Sequence, residues 1–230
     1  LTAPNGDIGV KLALEHIPDL IISDIMMPVK DGIELTKTLK NNECTAHIPI
    51  ILLTAKADIE SHYEGVNTGA DDYITKPFDN KLLDLKVKKL IKSRRKLQER
   101  YSQELILIPK YIAVTNLDKK FLTKVKDILD KELVESSFNI EDFSKALGMS
   151  RMQLHRKIKA LTGLPASEFI RSQRLKLAAQ LLKTSTINIS QVGYSVGFND
   201  HSYFDKCFKE VYIIVRLLSI LNVKIFNNKR

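Results

Sequence analysis

FNIEDFSKALGMSRMQLHRKIK, Phe138 to Lys159, is written a second time as INISQVGYSVGFNDHSYFDKCFK, Ile187 to Lys209. Asn139-Ile140 aligns with Asn188-Ile189, Phe143 with Val192, and Leu147-Gly148-Met149 with Val196-Gly197-Phe198. After one inserted residue, Leu154 aligns with Phe204, Ile158 with Phe208 and Lys159 with Lys209. Each copy reads as an apolar-periodic helix, a turn containing Gly, then a helix with a polar face. That is the sequence form of a helix-turn-helix. Two such units on one chain can address successive major-groove segments about 34 Å apart.

In the first copy Ser150 is placed to cap a helix that runs to Leu161. Leu154, Ile158 and Leu161 then face the core, and Arg151, Met152, His155 and Arg156 face outward. In the second copy the reading helix starts near Asn199-Asp200, with Phe204 and Phe208 inward and His201, Ser202, Asp205 and Lys206 outward. An Arg can take guanine in a bidentate pair that gives about 1–3 kcal/mol of discrimination. Asp205 either accepts from cytosine or sits near solvent. Met152 and Tyr203 rank lower, as packing residues. Between the copies, Ala166–Leu182 reads as one long helix that would join them rigidly. Its Arg171, Arg174 and Lys176 either contact phosphates or form a solvated basic face.

The charge is distributed to match. Residues 1–91 carry 10 Lys+Arg against 14 Asp+Glu, and residues 92–230 carry 26 against 13. The basic excess therefore sits in the half with the repeat, as contact with a phosphate backbone requires. Apolar content of 44% and charged content of 27% over 230 residues describe globular material for one or two domains. Cys44 and Cys207 have no CxxC partner and read as reduced, buried thiols. The five His are scattered without ligand spacing, so no structural metal is expected. No signal peptide is visible. The apolar run Val211–Phe226 is broken by Arg216 and Lys224 and falls short of the roughly 20 residues of a membrane span.

The acidic half alternates short apolar runs with helical segments. Residues 5–16 read as a helix, Leu20–Ser23 as a strand ended by Asp24, and Gly32–Lys40 as a helix. Pro49–Thr54 is a second strand, Asp58 caps a helix ending near Gly69, and Asp72–Ile74 is a third strand. A helix from Asn80 runs toward Arg100, and Asp118 is placed to cap an amphipathic helix beyond a connecting segment. This alternation indicates a parallel α/β sheet. Asp24, Thr54 and Lys76 stand at the C-terminal ends of its strands, the edge where open α/β sheets bind ligands. Asp24 can attack a phosphoryl group, Thr54 can donate to a phosphoryl oxygen, and Lys76 can offset its charge. Taken singly, Asp24 also reads as a turn cap and Lys76 as a solvated charge.

The words PDLIISDIMMPVKDG (Pro18–Gly32), IPIILLTA (Ile48–Ala55) and GADDYITKPF (Gly69–Phe78) resemble the response-regulator receiver domain. The resemblance implies that Asp24 is the phosphoacceptor, with Thr54 and Lys76 its partners. It puts Tyr73 on the aromatic switch position, where the plain reading is a half-buried strand tyrosine. It also implies Mg²⁺ held by Asp24 and the backbone carbonyl of Met26. Receivers begin with a strand ending in an acidic pair that completes that site. This chain begins at about the second helix, so a flavodoxin-like receiver without its first strand and helix is expected, cut from a longer protein and weak in Mg²⁺ binding. The strand before Asp24 is then left with an open edge.

The repeat, with GMSRMQLHRKIKALTGLPASEFIRSQRLKLAAQLL and VGYSVGFNDHSYFDKCFK, resembles the AraC family over about residues 125–210. The second copy loses the Gly and Pro that end its counterpart, having Tyr212-Ile213-Ile214-Val215 instead, and IIVRLLSILNVKIFNNKR reads as a substituted tail. The expected organisation is a receiver over 1–92, a linker over 93–117, an all-α domain with two helix-turn-helix units over 118–212 and an atypical tail over 213–230. The combination resembles the C-terminal part of hybrid two-component proteins. It implies a phosphorylation-regulated, sequence-specific transcription regulator acting in the cytoplasm, its parent anchored in the inner membrane. The implied partners are double-stranded DNA, a histidine kinase domain in cis or in trans, and a second copy on phosphorylation, with no membrane contact from this part. The competing reading is a phosphoacceptor module whose DNA binding is impaired by the truncated start and aberrant tail. No Walker loop, catalytic triad or kinase ATP-site motif supports an enzyme in this chain, and the parent's kinase stays open.

Overall fold

The computed structural model describes residues 1–55, 69–103, 113–184 and 189–211. The helix expected from Asp58 and the tail beyond residue 212 lie outside the described residues. The acidic half has the element order α1 (Gly6–His16), β1 (Ile21–Asp24), α2 (Gly32–Lys40), β2 (Ile50–Ala55), β3 (Asp72–Lys76) and α3 (Asn80–Gln103). The strands form a parallel sheet in the order β1-β2-β3, with Ile21 opposite Ile50 and Leu52 opposite Tyr73. In the central strand Ile50, Ile51 and Leu52 are fully buried, as a continuous apolar run in a covered parallel sheet should be. β1 lies at the sheet edge, as the sequence predicts.

Local chemistry sets the helix starts. Asn5 accepts from the Ile8 amide at 3.0 Å, so α1 begins one residue later than expected. Asp31 accepts from the Glu34 amide at 2.7 Å and starts α2 at the predicted residue. Val10 and Ala13 of α1 and Ile33, Leu35 and Leu39 of α2 close over Ile50 and Leu52.

The basic half contains α4 (Asn116–Glu132), α5 (Ile140–Ala146), α6 (Arg151–Thr162), α7 (Ala166–Thr184), α8 (Ile189–Ser195) and α9 over residues 201–211. The start of α4 corrects the sequence reading. Thr115 is the N-cap, and Asp118 sits one turn in, completing a capping box with Thr115. Asp118 is fully buried because it answers a second demand, described below. Ser150 caps α6 as expected, and Gly163 ends it in the left-handed region at φ 80°.

Two cores lie in this half. Phe121, Val125, Phe143, Leu154, Ile158 and Phe169 anchor the one under α5 and α6. Leu175, Ala178, Val192, Val196, Phe204 and Cys207 anchor the one under α8 and α9. The connecting helix α7 supplies residues to both, and Leu177 packs against both.

Candidate functional site

The sheet register brings the acidic-half residues together. Asp24 is the last residue of β1, Lys76 the last of β3, and Thr54 lies between them on β2. The Lys76 ammonium donates to Asp24 Oδ2, and the Met26 amide donates to Oδ1 at 3.3 Å. Asp24 keeps about a third of its side-chain surface exposed, so an incoming group can reach it. Gly32 permits this geometry: a Cβ there would stand 2.2 Å from the Asp24 carbonyl oxygen. The loop between them carries Val29 at φ 70°, an unusual conformation for a β-branched side chain.

Thr54 is buried and its hydroxyl donates to the Ala55 carbonyl at 3.0 Å, not to Asp24. Tyr73 is half-buried against the core shared by α1, α2 and the sheet. Its carbonyl accepts from Lys86 at 3.1 Å. For a cation, Asp24 and the Met26 carbonyl offer oxygen donors of the kind Mg²⁺ takes. The described residues contain no group of three or more His, Cys, Asp or Glu able to hold a metal. Two donors, one engaged by Lys76, do not by themselves make a tight site.

In the basic half, α5 and α6 are joined through Gly148 at φ 65°, and α8 and α9 through Gly197 at φ 89°. A Cβ at Gly197 would stand 2.9 Å from the Leu133 carbonyl and from Arg174 Nε, so the second turn needs glycine on two counts. Arg151, Met152 and His155 are exposed on α6 and Arg156 is half-buried, while Leu154, Ile158 and Leu161 are buried. On α9, Ser202 and Lys206 are exposed, His201 and Asp205 half-buried, and Phe204 buried. Asp200 caps α9 by accepting from the Tyr203 amide at 2.6 Å. A cleft of about 730 Å³ opens between the units, lined among others by Asn139, Arg151, Arg171, Asn199 and Asp200.

Several polar side chains are already engaged. Arg151 pairs with Glu141 at 3.0 Å and Asp205 with Lys209 at 2.6 Å. Met152 is 59% exposed, while Tyr203, 48% exposed, sets its ring 6.2 Å from that of Phe198 at the surface of the second core. The Tyr203 hydroxyl accepts from Arg171 at 2.9 Å. Arg174 donates to the carbonyls of Leu133, Glu135 and Phe138 at 3.0, 2.8 and 3.2 Å. Its guanidinium therefore ties α7 to the loop after α4.

The sequence reading missed the partners of Asp118. Lys157, on the face of α6 opposite the exposed residues, is fully buried and donates to Asp118 Oδ1. Its Nζ also lies 2.9 Å from His47 Nδ1 in the loop before β2. The available signal was a lysine falling between Leu154 and Leu161 on an otherwise apolar stripe.

Residues 1–88 match the family model described as response regulator receiver domain, and residues 143–214 match that described as helix-turn-helix domain. The chain is 42% identical over 212 residues to Histidine kinase P4 of Formosa agariphila, which covers 92% of this chain and 16% of that protein. It is 42% identical over 92 residues to the phosphate regulon transcriptional regulatory protein PhoB of Pseudomonas aeruginosa, 40% of each chain. The chain thus spans well under half the length of these relatives. Among solved structures, the Francisella response regulator 1452 receiver domain is 36% identical, over 40% of this chain and 75% of that one, with a TM-score of 0.36. No helix among the described residues is long and apolar enough to cross a membrane. The chain belongs to the response regulator receiver family over residues 1–88 and to the helix-turn-helix family over residues 143–214.

Proposed function

We propose that this chain is the phosphoryl-accepting and DNA-reading part of a two-component transcription regulator, of the AraC type in its basic half. The observation that carries the reading is the pairing of an accessible Asp24, held by Lys76 at the sheet edge, with two exposed reading helices on the same chain. An Asp24 carboxylate oxygen attacks phosphorus, and the bond from phosphorus to the donor breaks. The donor, a phosphohistidine of a kinase domain in cis or in trans, leaves with the electron pair. Lys76 then faces a phosphoryl oxygen as well as the carboxylate. The Thr54 hydroxyl has to leave the Ala55 carbonyl to reach the new oxygens, and Tyr73 on the neighbouring strand re-packs with it. Mg²⁺, when bound at Asp24 and the Met26 carbonyl, lowers the charge the phosphoryl group meets, and binding to this donor set is weak.

The altered surface favours pairing of two copies, which sets two basic halves on repeated half-sites. Arg151, Met152, His155 and Arg156 read one groove segment, and His201, Ser202, Asp205 and Lys206 the next. The catalytic step that makes the phosphohistidine belongs to a kinase domain, not to either unit here. The packed core under α8 and α9 favours a working second unit over the impaired-module reading.

The test has two arms on the same protein. Incubation with acetyl phosphate or a phosphorylated kinase domain should add one phosphoryl group labile to alkali and hydroxylamine, as an acyl phosphate is, absent in Asp24→Asn. Selection from a genomic fragment pool at two salt concentrations should enrich a defined site, and Arg156→Ala should relax it. Labelling that persists in Asp24→Asn, or binding with no sequence preference by folded protein, refutes the corresponding half of the reading.

A further inference from the structure

The two halves meet through a buried polar contact. His47, 2% exposed, lies in the receiver unit between α2 and β2. Its Nδ1 is 2.9 Å from Lys157 Nζ and 3.9 Å from Asp118 Oδ1. Lys157 belongs to the first reading helix and Asp118 to α4. From α3, Arg94 donates to the His47 carbonyl at 2.6 Å and to the Ala160 carbonyl of α6 at 2.8 Å. Gln98 donates to the same Ala160 carbonyl at 2.9 Å. Glu43 pairs with Lys124 at 3.2 Å beside them.

An ammonium has no lone pair, so in the contact with Lys157 the His47 Nδ1 must be the acceptor. The ring proton is then on Nε2, which is buried with no hydrogen-bond partner among the described residues. This arrangement accepts a neutral imidazole only. A second proton at Nδ1 would point at the ammonium. The charges around the ring are Lys157 from α6, Arg94 from α3, Lys40 from α2 and Asp118 from α4, with the Cys44 thiol nearby in its own loop. Burial, then Lys157, Arg94 and Lys40, hold the imidazole well below its ordinary 6.5.

The contact reaches α6 from behind. Lys157, Ile158 and Leu161 are buried, while Arg151, Met152 and His155 remain exposed. Docking therefore leaves the reading face open.

We propose that the receiver unit holds the first reading helix from behind through His47, Lys157 and Asp118, that this docked arrangement is the DNA-competent one, and that it opens when His47 takes a proton. The assignment of a DNA-reading role to α6 rests on the function proposed above, and the latch itself does not. Docking favours the neutral ring, so the docked state is fully favoured above pH 6.5. Below that the open state binds a proton that the docked state refuses, and the docked-to-open ratio falls by at most about tenfold per pH unit.

The experiment uses the full chain with spin labels at Lys11→Cys and Lys120→Cys, both exposed, in a Cys44→Ser, Cys207→Ala background. Pulsed dipolar distances are recorded from pH 8 to 5.5 without any phosphoryl donor. One narrow population is expected at pH 8, with a broad one growing in beside it below pH 6.5, the ratio of broad to narrow rising by up to about tenfold at pH 5.5. His47→Asn, which keeps an acceptor for Lys157 but cannot titrate, should stay docked throughout. His47→Lys should be open at pH 8 with unchanged helix content by circular dichroism. Distances that ignore pH in the parent, or the same pH response in His47→Asn, overturn the latch. At pH 8, His47→Lys should bind a selected DNA site about tenfold more weakly, and equal affinity overturns the claim that the docked form is the competent one. Absence of selective DNA binding by the parent, with the distance response intact, refutes the proposed function and leaves the latch standing.

Discussion

Asp118→Asn should be among the most damaging single substitutions in the basic half. The amide keeps an acceptor for the Thr115 amide and hydroxyl, which the carboxylate meets at 3.0 and 2.9 Å, so the capping box survives. What disappears is the negative charge beside Lys157, whose ammonium is buried with Asp118 and stands 5.5 Å from the centre of the Phe121 ring. Burial already pulls the Lys157 amine below its ordinary range, and Asp118 is the main group pushing it back. Removing one partner of a buried pair costs about 3–5 kcal/mol, because the survivor is left uncompensated. Lys157→Met should cost less, since the carboxylate retains its two Thr115 hydrogen bonds.

The double variant Asp118→Asn, Lys157→Met discriminates the mechanism. Replacing both charges is often close to neutral, so it should recover at least about 2 kcal/mol relative to the sum of the singles. With a urea slope of about 2–3 kcal/mol/M, Asp118→Asn should lower the midpoint by about 1–2 M. Urea titrations followed by circular dichroism on the four proteins give the cycle. A midpoint loss under about 0.3 M for Asp118→Asn, or simple additivity, would falsify the reasoning, because the pair would then be neither desolvated nor coupled.

Arg174→Ala should destabilise the basic half by about 2–3 kcal/mol, since three carbonyls lose a charged donor. It should leave the salt dependence of DNA binding unchanged, whereas Lys206→Ala, which removes an exposed positive charge from the proposed DNA-facing helix, should reduce the log–log salt slope by about one. Gly32→Ala drives a Cβ into the Asp24 carbonyl. Its phosphoryl labelling should fall with its thermal midpoint, and an unchanged labelling rate would show that α2 does not fix the acceptor. Val29→Asn should raise stability by about 1 kcal/mol in calorimetry, because Asn tolerates the left-handed region that a β-branched residue occupies at a cost.

Local signals made much of this architecture readable. PIILLT is apolar at every position but the last and became a central strand with three fully buried residues. Ser150 stood where a cap is needed and capped the predicted helix, and α2 began at the predicted Gly32. The three chemical residues of the sheet edge were legible because a parallel strand ends where its apolar run stops. Asp118 shows where such reading fails. Its position before an amphipathic run is that of a cap, but Thr115 has the same chemistry three residues earlier, and only the tertiary partner Lys157 decides between them. Arg174 failed for the same reason. A basic residue on a helix is indistinguishable in sequence whether it meets phosphate or three backbone carbonyls. His47, flanked by Ala46 and Ile48, gave no periodicity to mark it as an interface residue.

The placement of these missed residues bears on how a signal at Asp24 can be felt at DNA. The two reading units do not touch solvent as independent bodies. Helix α7 contributes Phe169 and Ile170 to one core and Leu175 and Ala178 to the other. Arg174 fastens that helix to the loop after α4, and Arg171 fastens it to Tyr203 on α9. A displacement of α6 should therefore be passed on to α9 through packed side chains and oriented hydrogen bonds, changing the joint orientation of the two helices more than their spacing. The receiver grips α6 through Lys157, Ala160 and the helix α3 that follows β3. Lys86 of that same helix donates to Asp72 and to the Tyr73 carbonyl, on the strand that ends in Lys76. On the function proposed above, a shift of Tyr73 on phosphorylation would act on the root of α3, and Arg94 and Gln98 lie two to three turns further along it. The expected consequence is a change in the orientation of both readers together, which alters the match to two half-sites more than the affinity for either one.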